Sequence, residues 1–115
     1  MTRSMSENEM NCLATLLKDF DAGQIYAVLV GLEQNFDASV YANSGFDYGQ
    51  MEEVRQGLMS GIDVSVYANP EFDHKQMHEI RTGLEFGVDA SSYADPKLDS
   101  REMRKVLMDL VKVRK

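Results

Sequence analysis

Residues 61–77 read GIDVSVYANPEFDHKQM, and residues 87–103 read GVDASSYADPKLDSREM. Glycine, aspartate, serine, tyrosine, alanine, proline, a second aspartate and methionine fall at the same places in both, 26 residues apart. The polar spacing Asp63-x-Ser65-x-Tyr67-x-Asn69 is that of a calcium loop, so the stretch is either a metal site written twice or the joint of a repeating structure. Placed on an EF-type loop, Asp63 takes position 1 and Ala68 stands where the sharp-turn glycine belongs. The closing glutamate is also missing: the copies offer His74, Tyr48 and Ser100 there. A hard dication lacks oxygens in such a loop. Aspartate as a helix cap and serine as its local backbone partner are the expected roles.

The same register extends in both directions. Asp37, Ser39, Tyr41 and Ala42 precede the two copies, and Phe46, Phe72 and Leu98 coincide, as do Asp47, Asp73 and Asp99. Met51, Met77 and Met103 follow, then Val54, Ile80 and Val106, then Leu58, Leu84 and Leu110. Upstream, Asp21, Gln24, Val28, Gly31 and Leu32 keep the phase. A fixed period in this range is the signature of a stacked array.

Each unit has a local grammar. Asp-x-x-Gln, at Asp21, Asp47 and Asp73, is a capping-box pattern, with Asp99…Glu102 as the last form. Met77, Ile80 and Leu84 fall at i, i+3 and i+7, the stripe of an amphipathic helix. Gly31, Gly57 and Gly83 recur inside the helices, where glycine costs about 1 kcal/mol against alanine, so a close backbone crossing is expected there. Gly61 and Gly87 are expected as left-handed C-caps. Asp63 to Ala68 should then form one helical turn with Val64 and Tyr67 pointing together, stopped by Pro70 or Pro96. The tyrosine rings are expected to wedge between successive helices with their hydroxyls at the surface; a binding stripe is the other reading.

The fold class expected is therefore all-α: a short solenoid-like array of one helix plus one helical turn per 26-residue unit. Within a single domain, 1–115, an N-terminal helix covers 1–19. Repeats follow at 20–45, 46–71 and 72–97, with a basic capping helix at 98–115. The N-terminal helix is signalled by Ser6-Glu7-Asn8-Glu9, a capping box, with Met10, Leu13, Leu16 and Leu17 inward.

The unit resembles short tandem repeats reading roughly QMxEIRxGLExGxDVSxYAxPxFD, found in proteins of Gram-positive gut bacteria and their mobile elements. Gln76 to Asp89 match closely, as does the preceding unit from Gln50. The first copy departs at Asn35, Ser44 and Gly45, and the last at Leu107 and Asp109, as end units of an array do. The resemblance implies a helical repeat and carries over no catalytic residue.

Composition bounds the function. The chain is 43% hydrophobic, enough for a core, and its net charge of −7 opposes ordinary phosphate binding. Residues 101–115 hold six Lys/Arg and two acids, so +4, which leaves −11 on the rest. Direct nucleic-acid contact is thus expected, if anywhere, only through the basic last helix. Cys12 is the single cysteine and is expected as a small buried packer; no intrachain disulfide or cysteine zinc cluster can form. No apolar leader and no membrane-length apolar run is visible, so a cytoplasmic protein is expected. His74 and His78 have the i,i+4 spacing that can chelate zinc, but no third ligand is evident, and an exposed polar pair is expected.

No metal, cofactor or catalytic residue is expected, because the residues that recur are capping and packing types, whereas an enzyme needs a unique cluster. A non-catalytic protein–protein interaction module is the first expectation. Glu53, Arg55, Glu79 and Arg81 would be its solvent-facing, partner-binding residues, with Arg55 and Arg81 also able to pair with Asp63 or Asp89. The alternative is a small acidic inhibitor of a nucleic-acid enzyme, of the anti-CRISPR or anti-restriction kind, mimicking nucleic acid with its regularly spaced glutamates.

Overall fold

The computed structural model describes residues 6–7, 18–42 and 45–114. Among the described residues four α-helices are delimited: α1 (Ala22–Glu33), α2 (Tyr48–Ser60), α3 (His74–Phe86) and α4 (Ser100–Arg114). Between them lie three single 3₁₀ turns, Ala38–Val40, Val64–Val66 and Ala90–Ser92, and there is no strand among the described residues. The described residues thus form an all-helical structure. Lys18 and Asp19 are helical as well. Glu7 is helical too, whereas residues 8–17 of the expected N-terminal helix, with Cys12, Met10, Leu13, Leu16 and Leu17, lie outside the described residues.

Each helix starts as its capping box dictates. At α3 the Asp73 carboxylate accepts from the Gln76 N–H, and the Gln76 side-chain oxygen accepts from the Asp73 N–H, both at 2.8 Å. The reciprocal pair recurs at Asp21/Gln24, Asp47/Gln50 and Asp99/Glu102. Two N–H groups that the first helical turn leaves unpaired are satisfied each time. The helices end where a residue can turn left-handed. Gly61 and Gly87 have φ of 73° and 77°, and Asn35, in the same register, takes φ of 63°. Asparagine is among the few residues that tolerate this region, so the first copy's departure at that position is conservative.

The connections behave as local grammar predicts. The Asp63 carboxylate accepts from the Ser65 N–H at 3.1 Å and from the Ser65 hydroxyl at 2.6 Å. Asp37 holds Ser39 in the same way. These oxygens close a turn.

Helices of 12–15 residues are marginal alone; packing decides. Consecutive helices pack on one another, α1 on α2, α2 on α3 and α3 on α4, and each 3₁₀ turn packs against the helix before it. One continuous core joins Val28, Phe46, Met51, Val54, Phe72, Met77, Ile80, Met103 and Leu107 with Tyr41, Tyr67 and Tyr93. The shortest Cα dimension is 17 Å, room for one helix, 10–12 Å across, and the turns laid upon it.

The tyrosines differ from the expectation. Their hydroxyls are buried: Tyr41 and Tyr67 are 0% exposed and Tyr93 1%. Each donates to a carbonyl of the helix fourteen residues back: Tyr41 to Ala27 at 2.9 Å, Tyr67 to Glu53 at 2.6 Å and Tyr93 to Glu79 at 2.7 Å. The recurring glycines make way for these phenols and not for a crossing backbone. A Cβ at Gly31, Gly57 or Gly83 would overlap the hydroxyl of Tyr41, Tyr67 or Tyr93. Burial pushes Tyr41 and Tyr93 up to about 12, and raises Tyr67 further.

Candidate functional site

The helix N3 glutamines link one unit to the next. The side-chain amide of Gln24 donates to the carbonyl of Phe46 at 2.6 Å, that of Gln50 to Phe72 at 2.6 Å and that of Gln76 to Leu98 at 2.7 Å. Gln50 and Gln76 also reach Pro70 and Pro96. These clamps hold the start of each helix to the chain entering the next, and so set how the charged residues of α2 and α3 face one another.

Those charged residues were expected at the solvent. They are instead largely withdrawn from it. Glu79 is 8% exposed, and the side chains of Glu53, Arg55 and Arg81 keep 14%, 14% and 11% of their surface. Arg81 of α3 reaches back across the helix pair, its Nε donating to Glu53 of α2 at 2.8 Å, and its Nη1 donates to Glu85 at 2.8 Å. Glu85 in turn accepts from the Ser60 hydroxyl at 2.8 Å. Arg55 pairs with Glu52 on its own helix at 2.7 Å. The partners are therefore glutamates on the helices, not Asp63 or Asp89. Asp63 and Asp89 are each engaged by the serine two residues on, at the base of their own 3₁₀ turns.

The electrostatics follow. Burial pulls Arg81 toward the neutral form, but its hydrogen bonds to Glu53 and Glu85 outweigh that and hold it above its ordinary value. Arg55 is raised chiefly by its hydrogen bond to Glu52. For Glu85, burial pushes upward, yet Ser60 and Arg81 together bring it below the usual carboxylate range.

His74 and His78 are both exposed. His78 Nδ1 lies 3.1 Å from Arg81 Nη2 and 3.5 Å from Glu53. Among the described residues no group of three His, Cys, Asp or Glu is arranged to hold a metal, and no helix is long and apolar enough to cross a membrane.

An open cleft of about 330 Å³ crosses the first half of α3, lined by His74, Lys75, His78 and Glu79, with Glu53 of α2 and Ser100 of α4 on its flanks. Sequence reasoning named Glu53 and Glu79 but did not bring them to one cleft with the histidines. The glutamine clamp was also missed, although a signal existed. A capping box works with Glu or Gln, yet three units use Gln and only the last, Asp99…Glu102, uses Glu. Only an amide has N–H groups left to donate forward.

No protein-family model matches the chain, and neither a curated protein nor a solved structure matches it.

Proposed function

We propose that the chain is a non-catalytic protein–protein interaction module, a short stack of 26-residue helical units at 20–45, 46–71 and 72–97 ended by the N-terminal segment and the basic α4. The observation that carries this reading is a constant frame bearing a changing surface. Capping box, glutamine clamp and buried tyrosine recur with the same bonds from unit to unit. The outward positions in the same register do not: Tyr26 is followed by Glu52, His78 and Arg104, Tyr48 by His74 and Ser100, and Met59 by Glu85. Tyr26 and Met59 are 59% and 58% exposed although the core is complete without them. Stacked helical units offer extended faces of this kind to protein partners, and the resemblance to tandem helical repeats agrees with it.

Phosphate mimicry has less support. The carboxylates of Glu52, Glu53 and Glu85 are neutralised by Arg55 and Arg81 and do not form a bare negative ribbon. Affinity capture with the intact chain tests the interaction reading. A stoichiometric protein partner should be retained, and Tyr26→Asp with Met59→Asp should release it while thermal stability stays within about 0.5 kcal/mol, as for exposed sites. Retention unchanged by both substitutions, or no partner retained, would refute it.

A further inference from the structure

Glu53 and Glu79 occupy the same place in successive units, 26 residues apart, and the chain treats them differently. Glu53 is held by the guanidinium of Arg81 at 2.8 Å. One unit later Leu107 stands where Arg81 stood, and it is buried in the core. Glu79 is left 8% exposed. Among the described residues no ion pair or hydrogen bond reaches its carboxylate, and none of them has a fully enclosed side-chain oxygen or nitrogen lacking a partner. Glu79 lines a cleft with His74, Lys75, His78, Glu53 and Ser100.

A second difference in the last unit shapes that cleft. Ser100 replaces the bulky first helical residue of the earlier units, Tyr48 and His74. Where the larger residue is present, it lies on the preceding helix: the His74 side chain comes 3.1 Å from where a Cβ of Gly49 would sit. In the last unit Ser100 stands at the ring's place and Lys75 at that of the glycine, and both line the cleft.

We propose that this cleft is a guanidinium-binding site with Glu79 as its anchoring carboxylate, taking an arginine side chain of a protein partner or a free guanidino compound. A volume of about 330 Å³ sits at the lower limit of ligand pockets and suits one side chain. Of the two carboxylates on the lining, Glu53 already holds a guanidinium and Glu79 has no cation paired with it. The guanidinium is planar, weakly hydrated and able to stack on rings such as those of His74 and His78, whereas an ammonium is a strongly hydrated point charge. Lys75 illustrates the contrast: four residues before Glu79 on the same helix, it remains exposed and makes no ion pair with it. The unit before shows the chosen solution, a guanidinium on the matching glutamate.

The inference deepens the partner-binding reading and rests on it only for the source of the guanidinium. Titration of the full chain with N-acetyl-argininamide, followed by amide NMR, tests the chemistry. Saturable shifts are expected at residues 74–79 and 100, with the lysine analogue weaker. Glu79→Gln should weaken binding about tenfold or more, the loss of one charge-assisted hydrogen bond. Ser100→His, which puts a ring at the edge of the cleft, should weaken binding, with helical circular dichroism unchanged. Equal binding of the lysine analogue, unchanged binding by Glu79→Gln, or no shifts at all would overturn the proposal. Argininamide is then added to the captured partner. Release assigns the guanidinium to that protein; a partner that stays while argininamide binds assigns it to a small molecule. Binding of argininamide without any captured partner would leave the cleft standing and remove the interaction reading alone.

Discussion

Gly31 and Tyr41 make the tightest test of what the repeated residues do. A Cβ at Gly31 would meet the Tyr41 hydroxyl and lie 3.0 Å from its Cζ, with no other side chain so near. Gly31→Ala should therefore destabilise by about 1–3 kcal/mol through overpacking, even though alanine is the better helix former. Tyr41→Phe should lose about 1 kcal/mol with its hydrogen bond to Ala27. Together the two changes should not add. Removing the hydroxyl makes room for the methyl, so the double variant should recover at least about 1 kcal/mol relative to the sum, read by denaturant unfolding. Additive losses would mean that the glycine serves something other than the phenol. The expectation of a surface hydroxyl failed here because the spacing Tyr-to-Gly shows that both recur but not that the ring turns back onto its own helix.

At the scale of the element, the residue at helix N3 has two duties. Its side-chain oxygen closes the capping box and its amide N–H groups reach the next unit. Gln76→Glu separates them. The cap survives, since Glu102 performs it in α4, but the carboxylate oxygen would face the Leu98 carbonyl now 2.7 Å from the amide nitrogen. A loss of about 1–3 kcal/mol is expected from the buried acceptors left unpaired, with the midpoint of denaturant unfolding as the measure. An unchanged midpoint would reduce the clamp to a bystander. α4 has no helix after it among the described residues, and its Glu102 is exposed; the amide is present only where a following unit accepts it.

For the whole molecule, the three buried phenols couple stability to alkali. Tyr41 and Tyr93 are pushed up to about 12 by burial, and Tyr67 is raised more. A raised folded value means that the unfolded chain loses these protons first. Their contribution is then fully present below about pH 10, the ordinary tyrosine value, and is lost as pH rises from there toward about 12. Helical circular dichroism should fall cooperatively in that window, and Tyr67→Phe should make the fall shallower. A transition indifferent to Tyr67→Phe would place the alkaline weakness elsewhere.

The starts and ends of the helices were legible in the sequence because they are local contracts. Asp21, Asp47, Asp73 and Asp99 find their partner three residues on, and Gly61 and Gly87 need only their own backbone to turn. The all-helical class follows from these together with the apolar stripe. What only tertiary structure decided lies between elements. It includes Arg81 on Glu53 across 28 residues, the glutamine clamps across 22, and the cleft over α3 that joins Glu53, Glu79, His78 and Ser100. Charge alone placed Glu53 and Arg81 at the solvent. Packing brought them together instead, because charges drawn into a half-buried seam need opposite partners, and Arg81 finds two, Glu53 and Glu85. Glu79 keeps the same seam without its arginine, a difference that Leu107 writes in the sequence and that only the fold makes visible.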